Sequence, residues 1–157
     1  MTALQTRPVR HPTSAGMTAW RAFLNMHAMI TRRLEAELMS EEDLPLASYD
    51  VLVQLAEAPE RRLRMTELAG AVLLSRSGLT RLVDRLTRDG LVTRQACEDD
   101  ARGTYAVLAP DGLSRLRKAS KVHLRGVEEH MTGRLTDNEL TTLTRLLDRL
   151  HAVDVPG

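Results

Sequence analysis

The sequence predicts a mainly α fold with one small β-hairpin, and three observations carry that prediction. Aromatic residues (Trp20, Phe23, Tyr49 and Tyr105) make up only 3% of the chain, so the core must be built mainly from Leu, Val, Ala and Met. Apolar residues recur at spacings of three and four through most segments, the period of an amphipathic helix. Two short β-type runs, 91–95 (LVTRQ) and 104–108 (TYAVL), flank a charged stretch at 96–103 (ACEDDARG) that ends in glycine, the pattern of a hairpin and its tip. The chain has 157 residues with a formal net charge of +1, 43% hydrophobic and 27% charged, the profile of a single folded domain.

The elements follow in order. Residues 1–16 carry Pro8, Pro12 and Gly16 without an apolar period and read as a flexible N-terminal arm. A long helix is expected over 17–40, where Trp20, Phe23, Leu24, His27, Ile30, Leu34 and Leu38 form one stripe. At 1.5 Å per residue it is roughly 36 Å long, more apolar surface than one small core covers, so a partner chain is a reasonable recipient. Pro45 breaks the pattern, and a second helix over 46–57 is stopped by Pro59. Residues 61–65 (RRLRM) alternate and suit a short strand. Thr66 reads as the N-cap of a short helix over 67–73. After a turn at 74–75, Ser75 or Ser77 caps a helix that runs to Asp89 and ends at Gly90. Its buried stripe is Leu79, Leu82, Val83 and Leu86. The hairpin comes next. Pro110 then opens a helix to about residue 131, and Thr136–Asp137–Asn138–Glu139 is a capping box for a last, Leu-rich helix to about His151.

Several function classes are excluded. Charges interrupt every apolar stretch before the ~18 residues a membrane helix needs. The N-terminus lacks the apolar core of a signal peptide, which leads to the expectation of a cytoplasmic protein. One cysteine makes neither an internal disulfide nor a four-cysteine zinc site. No nucleophile motif, phosphate loop or paired histidine ligands stand out, so no enzyme, no cofactor and no metal site is expected. His123 and His130 are seven apart, away from the i,i+4 ligand spacing, and the acid pairs Glu41–Glu42 and Glu128–Glu129 are not expected to converge on a pocket.

What remains is a constellation suited to double-stranded DNA. Of the 22 basic residues 20 are Arg, which suits bidentate recognition of phosphate and base edges and equally fits a genome-wide coding bias. The second helix of the helix-turn-helix opens with polar residues: Ser75, Arg76, Ser77, Gly78, Thr80 and Arg81. A helix fits the major groove, and its first turn reaches base edges. Hydroxyls serve donors or acceptors, Gly78 permits close approach, and Arg81 can donate twice to guanine. Between Arg76 and Arg94 five Arg (76, 81, 85, 88, 94) face two acids (Asp84, Asp89), a local balance of +3. Arg88, and in an alternative reading Arg85, is expected to pair with those acids on the helix surface.

The segments LSRSGLTRLVDRLTRDGLVTR (74–94) and EDDARGTYAVLAPDG (98–112) resemble the MarR family of winged helix-turn-helix regulators. The element order extends the resemblance over about 17–152. It implies one domain over 17–157, with dimerisation helices at 17–40 and 111–152 and a DNA-binding winged unit at 46–109. It further implies a homodimeric repressor, released from a palindromic operator by a small, often aromatic, acid. The local charge balance adds Arg85 and Arg94 to the expected DNA surface; by resemblance, Arg102 of the wing enters the minor groove and Asp100 holds the wing base. Ala101 stands where many relatives carry a second wing Arg, and Ala109 where they carry a capping Thr.

The effector surfaces implied by the same resemblance are Trp20, Leu24, His27 and Tyr49. Trp20 and Tyr49 also read as core residues, and His27 as a hydrogen-bonded histidine on an apolar stripe. A winged helix that binds protein and not DNA is the alternative for the helix-turn-helix. A thiol-based redox switch is the alternative centred on Cys97, expected to be exposed in the wing loop with Arg94 lowering its pKa and the following acids raising it.

Overall fold

Capping side chains and prolines set the helix ends. The structure, a computed structural model, describes residues 11–72, 74–97 and 100–151, without the side chains of 100–102 and 151. Helix α1 (Ser14–Glu42) begins three residues earlier than the expected 17, because the Thr13 hydroxyl accepts the Gly16 N–H at 3.1 Å. Residues 14–16, expected in the arm, are therefore its first turn; residues 1–10 lie outside the described residues. The helix ends at Asp43, which takes a left-handed φ of 48° ahead of Leu44 and Pro45. Helix α2 (Leu46–Glu57) has the expected bounds and stops where Ala58 becomes extended before Pro59. A single 3-10 turn, Pro59–Arg61, follows, with Glu60 and Arg61 both at φ 54°. No glycine signals that turn in the sequence.

Strand β1 (Arg62–Arg64) leads into helix α3 (Met65–Ala71). Thr66, expected to be the cap, is inside the helix. The Glu67 carboxylate instead accepts the Arg64 N–H at 2.9 Å, which moves the start one residue before Thr66, and the expected end at Leu73 lies outside the described residues. Helix α4 (Arg76–Arg88) is capped by Ser75 and closed by Gly90, whose φ of 73° costs a residue without Cβ little.

The wing differs most from expectation. Strands β2 (Val92–Cys97) and β3 (Asp100–Leu108) are longer than the sequence suggested. The expected eight-residue tip shrinks, because the ladder continues with Ala96 opposite Thr104 and Cys97 opposite Asp100. The sheet has three antiparallel strands in the order β1-β3-β2. β1 joins with Leu63 opposite Ala106, and the Arg62 and Arg64 guanidinium carbons lie 4.8 and 5.6 Å from the centre of the Tyr105 ring. A register shift between Ala96 and Cys97 breaks the alternation of β2 and coincides with burial of Cys97, contrary to the expected exposure.

Helix α5 (Pro110–His130) starts on Ala109, which supplies no side-chain cap, and a 3-10 turn (Thr132–Arg134) connects it to α6 (Asp137–His151). The capping box forms: the Thr136 N–H and hydroxyl both donate to the Glu139 carboxylate, at 2.8 and 2.9 Å.

One core lies where α2, α3, α4 and the sheet meet α5, built on Leu52, Leu55, Leu68, Leu79, Leu86, Val92 and Ala106. Helix α1 buries only Leu34 and Leu38. Its first half leaves Trp20, Phe23, Leu24 and Met26 uncovered, and α6 does the same with Leu146, Leu147 and Leu150. The expected surplus of apolar surface on the first helix is present.

The α2–α5 contact carries a pH dependence. His123 packs 4.4 Å from the Tyr49 ring, and its Nδ1 is buried without a hydrogen-bond partner among the described residues. Burial pushes the imidazole pKa down, partly offset by Asp50. The same crowding, eased by His123 and reinforced by Glu35, raises Asp50. The two groups act in opposite directions. His123 is harder to protonate in the fold than in the open chain, so its contribution is full above the ordinary imidazole value of 6.5 and is lost as the pH falls from there through the lower folded value. Asp50, with its folded pKa raised, favours the fold at low pH and loses that contribution as the pH rises through its folded value. The Tm is therefore expected to fall between about pH 7.5 and about pH 5.5, and His123→Gln to flatten that slope. An unchanged slope in His123→Gln would assign the acid sensitivity to other groups.

Candidate nucleic-acid interface

Four leucines and valines of α4 (Leu79, Leu82, Val83, Leu86) are buried, which fixes the helix rotation and turns Arg76, Ser77, Thr80 and Arg81 to solvent. The Ser75 hydroxyl accepts the Gly78 N–H at 3.1 Å, and a Cβ on Gly78 would stand 3.1 Å from that oxygen. Gly78 thus makes room for the cap as well as for close approach. The Thr80 hydroxyl donates to the Arg76 carbonyl at 2.8 Å, which leaves its oxygen lone pairs facing outward. Among the described residues, Arg76 and Arg81 make no ion pair. They stand on the exposed opening turns of a capped helix, where unsatisfied N–H groups also favour an anion.

Two other arginines, both solvent-exposed, are engaged by partners within the chain. Arg94 on β2 donates to Asp84 on α4 at 2.8 Å and ties the wing to the helix. Arg85 turns back toward α2, donating to Ser48 at 3.1 Å, with Ser48 fully buried. Asp84 and Ser48 escaped sequence reasoning. Asp84 read only as a local charge, and Ser48 gave no signal in an apolar helix 37 residues from its partner. The backbone of Asp100 and Arg102 opens β3 beside Cys97, but both side chains lie outside the described residues.

The four expected effector residues do not form one site. Tyr49 is buried against α5, with its hydroxyl 3.4 Å from Ser120. Trp20 is 53% exposed near the start of α1, stacked with Phe23 at 6.2 Å; Leu24 is also exposed. His27 stacks on Phe23 and lines an apolar groove of about 700 Å³ between α1 and α6, together with Leu143 and Leu147. The sequence missed a second hollow. A cleft of about 590 Å³ lies at the junction of α1, α2 and α4, walled by Ser48, Arg85 and Arg115, with Asp43 and Asp89 at its edges. Arg115 donates to the Glu42 carbonyl there. The buried position of Cys97 disfavours attack by oxidants, since reactive thiols sit in exposed sites.

Ser75→Ala removes the cap of α4 without touching its outer face. It is expected to lower stability by about 1 kcal/mol, and Ser75→Asp to restore it. Chemical denaturation of the three proteins measures both. Equal stability of wild type and Ser75→Ala would show that the cap contributes nothing.

Comparison with known proteins places this geometry among relatives. The sequence model described as MarR family matches residues 42–103. AbsC, a MarR family transcriptional regulator from Streptomyces coelicolor, is 34% identical, with a TM-score of 0.84 over 92% of this chain and 97% of its own. Sco3205, a MarR family transcriptional regulator from the same organism solved in complex with DNA, is 32% identical, with a TM-score of 0.87 over 95% of this chain and 94% of its own. The HTH-type transcriptional repressor YetL of Bacillus subtilis is 30% identical over 102 residues, which are 65% of this chain and 60% of that protein.

Proposed function

The chain belongs to the MarR family of transcriptional regulators, and from that premise we propose that it is a homodimeric repressor that reads a palindromic operator and is released by a small acidic ligand. The observation that carries the reading is the opening of α4. Its exposed turns present two arginines without ion partners among the described residues and two hydroxyl-bearing side chains, Ser77 and Thr80, while its opposite face is locked in the core. In this reading Arg81 and Ser77 contact base edges, and Arg76 and the helix N-terminus contact phosphate. Arg102 extends into the minor groove as the family resemblance implies, with Asp100 bracing it. The DNA complex of the relative from Streptomyces coelicolor supports the partner, and the repressor name of the Bacillus relative supports the sign of regulation.

A second copy covers the first half of α1 and the Leu face of α6. That arrangement removes Trp20, Phe23, Leu147 and Leu150 from water, more apolar surface than a monomer of this size normally leaves open. Dimerisation helices at 17–40 and 111–152 then flank a winged unit at 46–109. Trp20, Leu24 and His27 serve this contact more naturally than a ligand site.

The ligand reading moves to the cleft between α2 and α4. An acidic molecule there pairs with Arg85 and Arg115 and displaces the Arg85–Ser48 hydrogen bond, which changes how α4 sits on α2. Selection of bound duplexes from a random pool tests the whole reading. The expected winner is an inverted repeat with half-sites about 34–36 Å apart, one helical turn. Enrichment of no sequence would overturn it.

A further inference from the structure

Where α1 crosses the end of α5, three side chains with metal-ligand chemistry meet. Glu37, Glu129 and His130 each place one ligand-capable atom within 4.8 Å of the others. No sequence spacing announces this, because Glu37 and His130 are 93 residues apart and the Glu128–Glu129 pair stands alone on its helix. We propose that these three side chains bind one divalent d-block cation, with Zn²⁺ the preferred ion and water as the remaining ligand.

Two independent features support the site beyond the grouping of acids. First, the imidazole of His130 is only 6% exposed, and its Nε2 is hydrogen-bonded to Glu37 Oε1 at 2.5 Å, a bond that opens when both atoms ligate one ion. Second, the other carboxylate oxygen, Glu37 Oε2, is buried and has no hydrogen-bond partner among the described residues. A desolvated carboxylate oxygen without a donor is costly, and a cation is the partner it lacks. Gly126 makes room for the carboxylate itself: a Cβ there would stand 2.4 Å from Oε2 and 2.7 Å from the Leu34 side chain.

The donor set decides the ion. A buried imidazole nitrogen with two carboxylates does not suit Ca²⁺ or Mg²⁺, which take oxygen ligands. It suits Zn²⁺, which is held by imidazole and carboxylate with three protein ligands and an open position.

One charge competes. Arg33 Nη1 lies 3.3 Å from His130 Nδ1. Without metal, Nδ1 accepts from Arg33 and the Nε2–H donates to Glu37. With metal on Nε2, the proton sits on Nδ1, so the imidazole changes tautomer without releasing a proton. Arg33 is exposed and must then swing away. Two further cations lie nearby: Arg125 is engaged with Glu41, and the Arg134 Nε–H donates to the Glu129 carbonyl at 2.7 Å.

The test uses the full chain stripped with chelator, with Zn²⁺ titrated against a chromophoric chelator near neutral pH. One site per chain is expected, together with a rise in Tm on loading. His130→Asn and Glu37→Gln should each weaken binding at least about a hundredfold, since loss of a mere ligand-orienting partner already costs ten- to hundredfold. Glu129→Gln should weaken it about tenfold. Arg33→Gln should tighten it, an effect that a purely structural Glu37–His130–Arg33 ion pair does not produce. Two results overturn the proposal: no stoichiometric site, or affinity unchanged by Glu37→Gln and His130→Asn, which would assign the metal to other residues. Weaker binding in Arg33→Gln would also contradict it. If His130→Asn fails to fold, the Glu37→Gln and Glu129→Gln proteins still decide.

Discussion

Leu143→Asp combined with Leu147→Asp is expected to turn the protein into a monomer that no longer holds its operator. Both side chains line the apolar groove between α1 and α6, facing Phe23, Met26 and Ile30. Helix α6 contributes nothing to the central core, so the cost falls on association. In a two-fold symmetric contact each substitution acts twice. Burying one Leu side chain is worth about 1.5–3 kcal/mol, so four lost contacts weaken the pair by at least about 6 kcal/mol, roughly a ten-thousandfold change in dissociation constant. The introduced carboxylates add desolvation to that loss. Sedimentation velocity at micromolar concentration should give a dimer for the wild type and a monomer for the double variant, with helical circular dichroism largely retained. A double variant that remains dimeric would place the subunit contact elsewhere.

Arg81→Ala is expected to cost about 1–3 kcal/mol of operator affinity and to relax the preference at one base pair of each half-site. The reasoning is geometric. Arg81 lies one turn after Ser77 on the exposed side of a helix whose rotation is set by Leu79, Leu82 and Val83. Arg85, four residues further on, is drawn back to Ser48 and serves as an internal comparison. Arg76→Ala should instead weaken all sequences alike and shallow the salt dependence by about one unit, as a phosphate contact does. Fluorescence anisotropy on the selected duplex and on single-base variants separates the two. Identical base preferences for wild type and Arg81→Ala would remove Arg81 from the base-reading set.

The helices were legible because their signals are local. Pro45, Pro59, Ser75, Gly90, Pro110 and the Thr136–Glu139 box each act within a few residues, and the structure places helix ends beside all of them. The wing was less legible. β1 was legible from the alternation at 61–65, but its place in the sheet, with Leu63 opposite Ala106 and Arg64 opposite Tyr105, was not. Cys97 is buried beside a register shift that no residue pattern announces. For the candidate site, the outward set on α4 followed from helical phase. The inward turn of Arg85, the Arg94–Asp84 tie and the meeting of Glu37 with His130 did not, because each pairs residues whose proximity exists only in the folded chain. The same reason separated Tyr49 from Trp20. Both are aromatic and sit on apolar stripes, yet one is core and the other lies on an uncovered helix face.

The decisive measurement is the ratio of affinities for the selected duplex and a scrambled duplex of equal length, at physiological salt and with both salt slopes recorded. The account predicts that the selected sequence binds at least about a thousandfold more tightly, a difference that Arg81→Ala narrows. A ratio near one, with both duplexes bound weakly and with the same salt slope, would contradict base reading by the opening turns of α4.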